Sequence, residues 1–370
     1  MRRPRFRAIF DSLPTYEPSR AVRSATGDSH LLAANESPHQ PLTDIVAAIV
    51  GAANTINRYP DFSGAELTAQ IARAHGVSED RVALGAGSIA LVQMLLQGVA
   101  DADAEVMYAW RSFELYPVLA DLAGVRSIRI PLARERHDLN AMADRIGDST
   151  RLVMVCNPNN PTGTLLSSEE LREFADRVPA DCLIAVDEAY FEYVRDPAAQ
   201  SAIALTADRP NLVVLRTFSK AYGLAGLRVG YLVGPPYVVT QLRKAYLPYS
   251  LNAVAQAAAL AALQKQKELF TQVDDVVAER TRVHQALAAA GWDVPRSESN
   301  FLWLRIGAAS SKFGEWCGDL GVAIRVFPGE GLRVSIGSPT DNDAFLAAAA
   351  AWQAKVGSPC IGGPQAVSNC

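Results

Sequence analysis

The sequence has few of the features that mark secreted and membrane proteins. Only five of its 370 residues are cysteine, no two of them form a Cys-x-x-Cys pair, and their number is odd. A disulfide framework is therefore not expected, and a reducing compartment fits best. No run approaches the roughly 18 consecutive apolar residues of a membrane helix, and the start of the chain has no signal-peptide core. We predict a cytoplasmic protein with no membrane contact.

The sequence also has little excess of charge of either sign. The 35 Lys and Arg residues and the 39 Asp and Glu residues leave a net charge of -4. Basic residues form no block beyond Arg2-Arg3-Pro4-Arg5-Phe6-Arg7, and such a short basic terminus is typical of solvated chain ends. Nucleic acid is therefore not expected as a partner.

Short apolar runs alternate with helical patterns over the first two thirds of the chain. Strands that alternate with helices in this way indicate an α/β fold with a mostly parallel sheet. One helical pattern, Ser168–Arg177, begins with Ser-Ser-Glu-Glu, as a capped helix does. The predicted strands are Arg81–Leu84, Glu105–Ala109, Ser127–Pro131, Leu152–Cys156, Leu183–Val186, Leu212–Arg216 and Val229–Val233.

The pattern changes after Pro248. An Ala-rich stretch without a breaker predicts one long helix over Ala253–Ala290, and three strands and a closing helix follow it. We therefore predict four segments: an irregular N-terminal arm (1–40) on the small domain and a partner subunit, a large domain (41–265), a small α+β domain (266–356) and a disordered tail (357–370).

A lysine follows one of the predicted strands. Lys220 comes shortly after Leu212–Arg216, so it would lie at the carboxyl end of a parallel sheet, where open α/β folds bind ligands. Thr217 and Ser219 place hydroxyl groups beside it, and Arg228, eight residues further on, offers a guanidinium suited to a phosphate. The whole string predicts an anion site next to a reactive amine.

Acidic and amide side chains follow two further strands. Asp187 directly follows the predicted strand Leu183–Val186, and Tyr190 lies three residues later. An Asp-Glu pair at a strand end is often a metal ligand, but no further His or carboxylate stands nearby, so we predict no metal site. Asn160 lies in the Asn-Pro-Asn-Asn-Pro-Thr-Gly loop after Leu152–Cys156, a turn that could also donate a hydrogen bond.

A glycine-containing turn, Gly85–Ser88, joins a predicted strand to a helix, and backbone N–H groups at a helix start bind phosphate. Its residues Ala86, Gly87 and Ser88 are candidates for that role, and Phe113 could stack on an aromatic ring. A lysine amine, a carboxylate, hydrogen-bond donors and a phosphate cage are together what pyridoxal 5′-phosphate requires. We therefore predict this cofactor.

These strings resemble the fold-type I pyridoxal-phosphate-dependent aminotransferases, and most closely the histidinol-phosphate aminotransferase family. The resemblance runs from about Leu13 to Trp352. It implies a large domain with a mostly parallel seven-stranded sheet and a smaller α+β C-terminal domain. Within the family, Trp110–Tyr116 and Leu215–Gly230 resemble the actinobacterial aromatic (phenylalanine) branch. The other strings that carry it are Leu31–Pro38, Asn57–Asp61, Cys156–Thr162 and Asp187–Tyr190.

The resemblance also implies roles for individual residues. Lys220 would bind the cofactor and shuttle the substrate proton, Asp187 would pair with the ring nitrogen, and Asn160 with Tyr190 would hold the ring's 3′ oxygen. Where the family usually has Tyr, Phe113 keeps only the stacking ring. The implied phosphate ligands are Ala86, Gly87, Ser88, Thr217, Ser219, Arg228 and, across a homodimer interface, Tyr59; the implied substrate ligands are Arg333 for the α-carboxylate, Arg325, Tyr16 and Asn35.

The implied reaction is a ping-pong transamination between an amino acid and a 2-oxo acid, with 2-oxoglutarate and glutamate as the second pair. The branch resemblance favours phenylalanine or tyrosine as the donor, and histidinol phosphate is the alternative. A decarboxylase of a phosphorylated amino acid shares the motifs and also stays open. A cofactor-sensing transcription regulator would need a DNA-binding module before Leu31, where about 30 irregular residues stand.

Overall fold

The computed structural model describes residues 4–15 and 29–356, and the statements below concern these residues. They form a large α/β domain and a smaller α+β domain, so the predicted fold class is confirmed. The strands are β1 (His30–Leu32), β2 (Val82–Gly85), β3 (Glu105–Trp110), β4 (Arg126–Pro131), β5 (Thr150–Cys156), β6 (Leu183–Asp187), β7 (Leu212–Thr217), β8 (Gly230–Val233), β9 (Phe301–Leu304), β10 (Val322–Phe327) and β11 (Gly331–Ser335).

Helices cover both faces of the central sheet and complete the small domain. None in the described part of the chain is long and apolar enough to cross a membrane. They are α1 (Thr43–Ala53), α2 (Ala65–His75), α3 (Ser88–Val99), α4 (Leu115–Ala123), α5 (Leu139–Arg145), α6 (Ser168–Arg177), α7 (Pro236–Ala245), α8 (Ala253–Gln264), α9 (Gln266–Ala289), α10 (Ser310–Asp319) and α11 (Pro339–Val356).

The central sheet has seven strands in the order β2-β8-β7-β6-β5-β3-β4. Its pairs are parallel except those of β8, which is antiparallel to β2 and β7. Every residue of β7 is buried, as expected for a strand with helices on both sides. Because β5, β6 and β7 are adjacent and parallel, the loops that follow them meet at one edge.

The small domain is built on a four-stranded sheet in the order β1-β10-β11-β9. Its outer strand comes from the N-terminal segment, because β1 pairs in parallel with β10. The prediction of an irregular arm is therefore wrong at His30–Leu32, where a three-residue strand forms by adding to an existing edge. The predicted disordered tail, 357–370, lies outside the described residues.

The predicted single helix over Ala253–Ala290 is also wrong. It is two helices, α8 and α9, separated at Lys265, whose φ of -104° and ψ of 20° leave the helical region. The Lys265 ammonium lies 2.5 Å from Asp44 in α1, on which α8 packs. Tertiary contacts therefore override the helical propensity of the sequence here. The division of the chain into domains at 265/266 falls at this break and stays a prediction.

Candidate active site

A cavity of about 530 Å³ lies where the loops after β5, β6 and β7 meet the small domain. Most of the predicted site residues line it, although they are far apart in the sequence. Ala86, Gly87 and Tyr59 are not among the residues that line it, and Tyr16 lies outside the described residues. The predicted residues that line it are Asn35, Ser88, Phe113, Asn160, Asp187, Tyr190, Thr217, Ser219, Lys220, Arg228, Arg325 and Arg333.

The Lys220 side chain opens onto this cavity. Its Nζ donates a hydrogen bond to the carbonyl oxygen of Ala34 at 2.9 Å. Burial, together with the nearby guanidinium groups of Arg333 and Arg228, lowers the pKa of Lys220 from 10.5 to about 7. A substantial fraction of the amine is therefore neutral near pH 7, which is the form that acts as a nucleophile and as a base.

Asp187 is buried at the end of β6 with one oxygen paired and one unpaired. The Tyr116 hydroxyl donates to Oδ2 at 2.7 Å, whereas Oδ1 has no hydrogen-bond partner among the described residues. Burial raises the pKa of Asp187 to about 6. An unpaired buried carboxylate oxygen is costly unless a donor reaches it, and the protonated ring nitrogen of pyridoxal phosphate is such a donor. On this test the site fits the predicted cofactor.

The side chains of Asn35, Tyr190 and Ser335 form a hydrogen-bonded network. Asn35 Nδ2 donates to the Tyr190 hydroxyl at 3.0 Å, and the Ser335 hydroxyl holds Asn35 through its Oδ1 at 2.9 Å. The Tyr190 hydroxyl keeps its own proton, because burial raises its pKa to about 12. Asn160, in the loop after β5, also lines the cavity, so both groups predicted to hold the 3′ oxygen lie at its wall.

Arg333 is buried in β11 and links Asn160 to the N-terminal segment. Its Nη1 donates to Asn160 Oδ1 at 2.6 Å and its Nη2 to the carbonyl oxygen of Ala33 at 2.7 Å. The guanidinium carbon lies 5.5 Å from the centre of the Phe301 ring. These contacts hold at the cavity wall a planar guanidinium, the group that is suited to bidentate carboxylate binding.

The other end of the cavity resembles an anion site. Helix α3 begins at Ser88 after Gly87, which has a φ of 78°, and a Cβ at Gly87 would overlap the guanidinium of Arg228. Arg228 Nη1 donates to the Ser219 hydroxyl at 3.1 Å. A helix start, a hydroxyl and a guanidinium therefore converge, as phosphate binding requires. Gly87 and Ala86 contribute to this turn rather than to the cavity lining.

Two residues of the site were not among the predicted ones. Tyr116, one turn after Phe113, hydrogen-bonds to Asp187 across 71 residues of sequence. Glu114 lines the cavity and pairs with Arg325, with 2.7 Å between Oε2 and Nη2. Tyr116 packs edge-on against Phe113, with 5.4 Å between ring centroids, but no sequence motif indicates the contacts of Tyr116 with Asp187 or of Glu114 with Arg325.

This fold defines a class, the fold-type I enzymes, in which a large α/β domain and a smaller α+β domain enclose one cavity. Residues 28–348 match the family described as aminotransferase class I and II, and the chain belongs to that family. It is an aminotransferase, and the resemblance inferred from its motifs is confirmed.

The chain is similar over nearly its whole length to individual members of this family. The chain is 54% identical to the aromatic amino acid aminotransferase of Thermobifida fusca (94% of this chain, 96% of the relative). It is 45% identical to the aromatic amino acid aminotransferase of Streptomyces coelicolor (93% and 96%). A solved histidinol-phosphate aminotransferase from Sinorhizobium meliloti, in complex with pyridoxal 5′-phosphate, is 29% identical, with a TM-score of 0.85 over 93% of this chain and 96% of that one.

Proposed function

We propose that this aminotransferase takes its amino group from phenylalanine or tyrosine and passes it to a 2-oxo acid, with 2-oxoglutarate as the acceptor and pyridoxal 5′-phosphate as the cofactor. One observation carries the proposal. Lys220, Asp187 and Arg333 all line one cavity, and one buried oxygen of Asp187 has no hydrogen-bond partner among the described residues. The names of the relatives from Thermobifida and Streptomyces support the aromatic donor.

The residues that would hold the cofactor divide by the part they would bind. Asp187 would pair with the ring nitrogen, Tyr190 and Asn160 would bind the 3′ oxygen, and Phe113 would stack on the ring. When bound, the cofactor supplies an electron sink for negative charge at the substrate Cα. Its phosphate would be held by the backbone at Gly87 and Ser88, with Ala86 supporting the turn, and by Thr217, Ser219 and Arg228.

The chain's own groups would then position the substrate and move its proton. Arg333 would bind the α-carboxylate through two parallel hydrogen bonds, and Asn35 would keep the neighbouring Tyr190 hydroxyl in place. The Lys220 amine, with a pKa of about 7, would remove the proton from Cα and deliver it to the cofactor side, because a base works best when its pKa is near the working pH.

The remaining wall of the cavity suits an uncharged side chain. Leu31, Leu115 and Ala323 line the cavity there, together with Arg325 and Glu114, which pair with each other. Aromatic rings bury large apolar areas against such walls. Histidinol phosphate is the alternative donor, because Arg325 could pair with its phosphate.

We also propose a homodimer in which Tyr59 reaches the cofactor phosphate of the partner subunit. Tyr59 is 80% exposed and does not line the cavity of its own chain. Its ring stacks on Tyr249 with 4.4 Å between centroids, so an exposed aromatic surface is available for a second copy. A cytoplasmic location is supported by the three described cysteines, Cys156, Cys182 and Cys317, which are buried and unpaired.

Steady-state kinetics of the purified enzyme with its cofactor test the proposal. The values of kcat/KM for phenylalanine, tyrosine and histidinol phosphate are measured with 2-oxoglutarate as acceptor. Either aromatic amino acid should exceed histidinol phosphate by at least about tenfold, which corresponds to roughly 1.4 kcal/mol of transition-state binding. A preference for histidinol phosphate would overturn the proposed donor, and carbon dioxide release without an oxo acid would overturn transamination.

A further inference from the structure

The substrate end of the cavity contains an ion pair as well as a cation. Arg325 lies in β10 directly opposite Arg333 in β11, so the two guanidinium groups start from neighbouring positions of one sheet. Glu114, at the start of α4, reaches across from the large domain, and its Oε2 accepts a hydrogen bond from Arg325 Nη2 at 2.7 Å. Both side chains line the cavity and are about one fifth exposed.

This position gives Glu114 influence over the substrate side chain. An amino acid whose carboxylate is on Arg333 directs its side chain within the same cavity, where Arg325 and Glu114 form part of the wall. A neutral ring can contact the apolar wall without disturbing the pair. An anionic side chain that approaches Arg325 meets the carboxylate of Glu114, and two like charges repel strongly in a half-buried site because solvent screens them little.

We propose that Glu114 is a specificity-determining residue, which disfavours amino and oxo acids with an anionic side chain and thereby favours aromatic ones. The inference rests on the proposed function, because it assumes that the substrate occupies this cavity. It concerns selectivity by repulsion, in which a built-in unfavourable contact rejects the wrong ligand. Histidinol phosphate and 2-oxoglutarate both have an anionic side chain, so Glu114 disfavours both and also weakens binding of the proposed acceptor.

A second ion pair, which lies outside the cavity, offers a matched control. Arg111 and Glu330 form a second ion pair between the same two segments, with 2.9 Å between Arg111 Nε and Glu330 Oε2. Neither residue lines the cavity. The variant Glu330→Gln therefore removes a carboxylate that joins the two domains without changing the charge at the substrate end. Glu114→Asp, which keeps the charge, is a second control.

Binding of unreactive acids tests the proposal without turnover. Glutarate and 3-phenylpropionate have neither an amino nor an oxo group, and their dissociation constants are measured by calorimetry on the cofactor-loaded enzyme. In Glu114→Gln the ratio of the glutarate constant to the 3-phenylpropionate constant should fall by about tenfold or more. Glu330→Gln and Glu114→Asp should keep the ratio within about twofold of the unmodified protein. An unchanged ratio in Glu114→Gln would overturn the proposal.

Kinetics separate this proposal from the function on which it rests. Glu114→Gln should lower KM for 2-oxoglutarate and raise kcat/KM for histidinol phosphate relative to phenylalanine, each by about tenfold. If the unmodified enzyme transaminates phenylalanine but the variant shows no such change, the role of Glu114 is wrong and the function stands. If neither aromatic donor reacts, the function itself is wrong. Should Glu114→Gln fail to fold, Glu114→Ala is measured with the same two acids against the same controls.

Discussion

At the scale of single residues, the site contains charges that the folded protein holds at a cost. Burial raises the pKa of Asp187 to about 6 and lowers that of Lys220 to about 7. In each case burial removes water from around the charged form and so disfavours it relative to the neutral form. A ligand with a positive ring nitrogen would restore a partner to Asp187, so binding of the proposed cofactor would offset part of this cost.

The substitution Asp187→Asn should stabilise the cofactor-free protein, by roughly 1–3 kcal/mol above about pH 6. The pKa of Asp187 rises from 3.8 to about 6 on folding, so the native state holds the proton more tightly than the unfolded state. Ionisation therefore costs stability progressively as pH rises from about 4 to about 6, and the cost is constant above that. Urea unfolding at about pH 4 and about pH 7.5 measures it. A gain that is equal at both pH values would refute the electrostatic origin.

Removal of the Tyr116 hydroxyl should weaken cofactor binding. Its hydrogen bond to Asp187 lowers the pKa of that carboxyl, so Tyr116→Phe makes Asp187 harder to ionise and leaves Oδ2 without this donor. A hydrogen bond to a charged group contributes about 1.5–3 kcal/mol, hence the dissociation constant of pyridoxal phosphate should rise by about tenfold or more in equilibrium dialysis. Tyr108→Phe is the control, because the buried Tyr108 hydroxyl has no hydrogen-bond partner among the described residues. Equal effects of the two variants would contradict this role.

The sequence could predict which residues surround the cavity, because Asn160, Asp187 and Lys220 each follow a strand of recognisable apolar pattern. It could not predict the pairs that connect distant segments. Tyr116 in α4 meets Asp187 at the end of β6, and Glu114 at the start of α4 meets Arg325 in β10, only once the chain is folded. The roles of the site residues stay predictions that the experiments above are designed to test.

At the scale of elements, the turn before α3 is the part of the site most dependent on backbone geometry. Gly87 has a φ of 78° and leaves no space for a Cβ beside Arg228. Gly87→Ala should therefore displace this guanidinium and weaken binding of pyridoxal phosphate by about tenfold or more, whereas pyridoxal, which has no phosphate, should be affected little. Competition dialysis of the two vitamers gives the ratio.

The control for that substitution lies in the same helix. Gly98 is in the last turn of α3, and a Cβ there would meet no atom within 4 Å. Gly98→Ala should leave the affinity for both vitamers unchanged and should raise the free energy of unfolding by up to about 1 kcal/mol, because alanine favours a helix over glycine. A loss of phosphate discrimination in Gly98→Ala would mean that helix stability, not the turn, controls the anion site.

Element prediction succeeded where a pattern is local. The seven strands of the central sheet were predicted from apolar runs. Helix α6 is the predicted Ser168–Arg177 helix, and a capping box between Ser167 and Glu170 stabilises its N-terminus. It failed where tertiary contacts decide. Lys265 is a good helix former, yet its pairing with Asp44 accompanies a break, and His30–Leu32 becomes a strand only because β10 offers an edge.

At the scale of the whole molecule, a cluster of exposed apolar side chains stands out beside α2 and α7. It comprises Tyr59, Phe62 and Tyr249, which are 43–80% exposed. Tyr59 stacks on Tyr249 with 4.4 Å between ring centroids, and Phe62 packs edge-on against Tyr249 with 5.6 Å between them. A contiguous exposed patch of this kind is characteristic of a protein–protein interface.

A charge within this cluster should disrupt the proposed homodimer. Phe62→Glu places a carboxylate in the apolar patch, where desolvation on association would be costly, so sedimentation velocity should show a larger monomer fraction and cofactor affinity should fall with it. Tyr237→Glu is the control, since Tyr237 is 74% exposed but belongs to α7 and not to the cluster. An unmodified protein that is monomeric at micromolar concentration would contradict the shared site.

The central claim, that Lys220 is the attachment point of pyridoxal phosphate, has one direct test. The purified protein is incubated with the cofactor, treated with sodium borohydride to make the lysine–cofactor bond permanent, digested, and analysed by peptide mass spectrometry. We predict that the modified peptide contains Lys220 and that Lys220→Ala prevents the modification. A cofactor found on another lysine, or on none, would contradict this account.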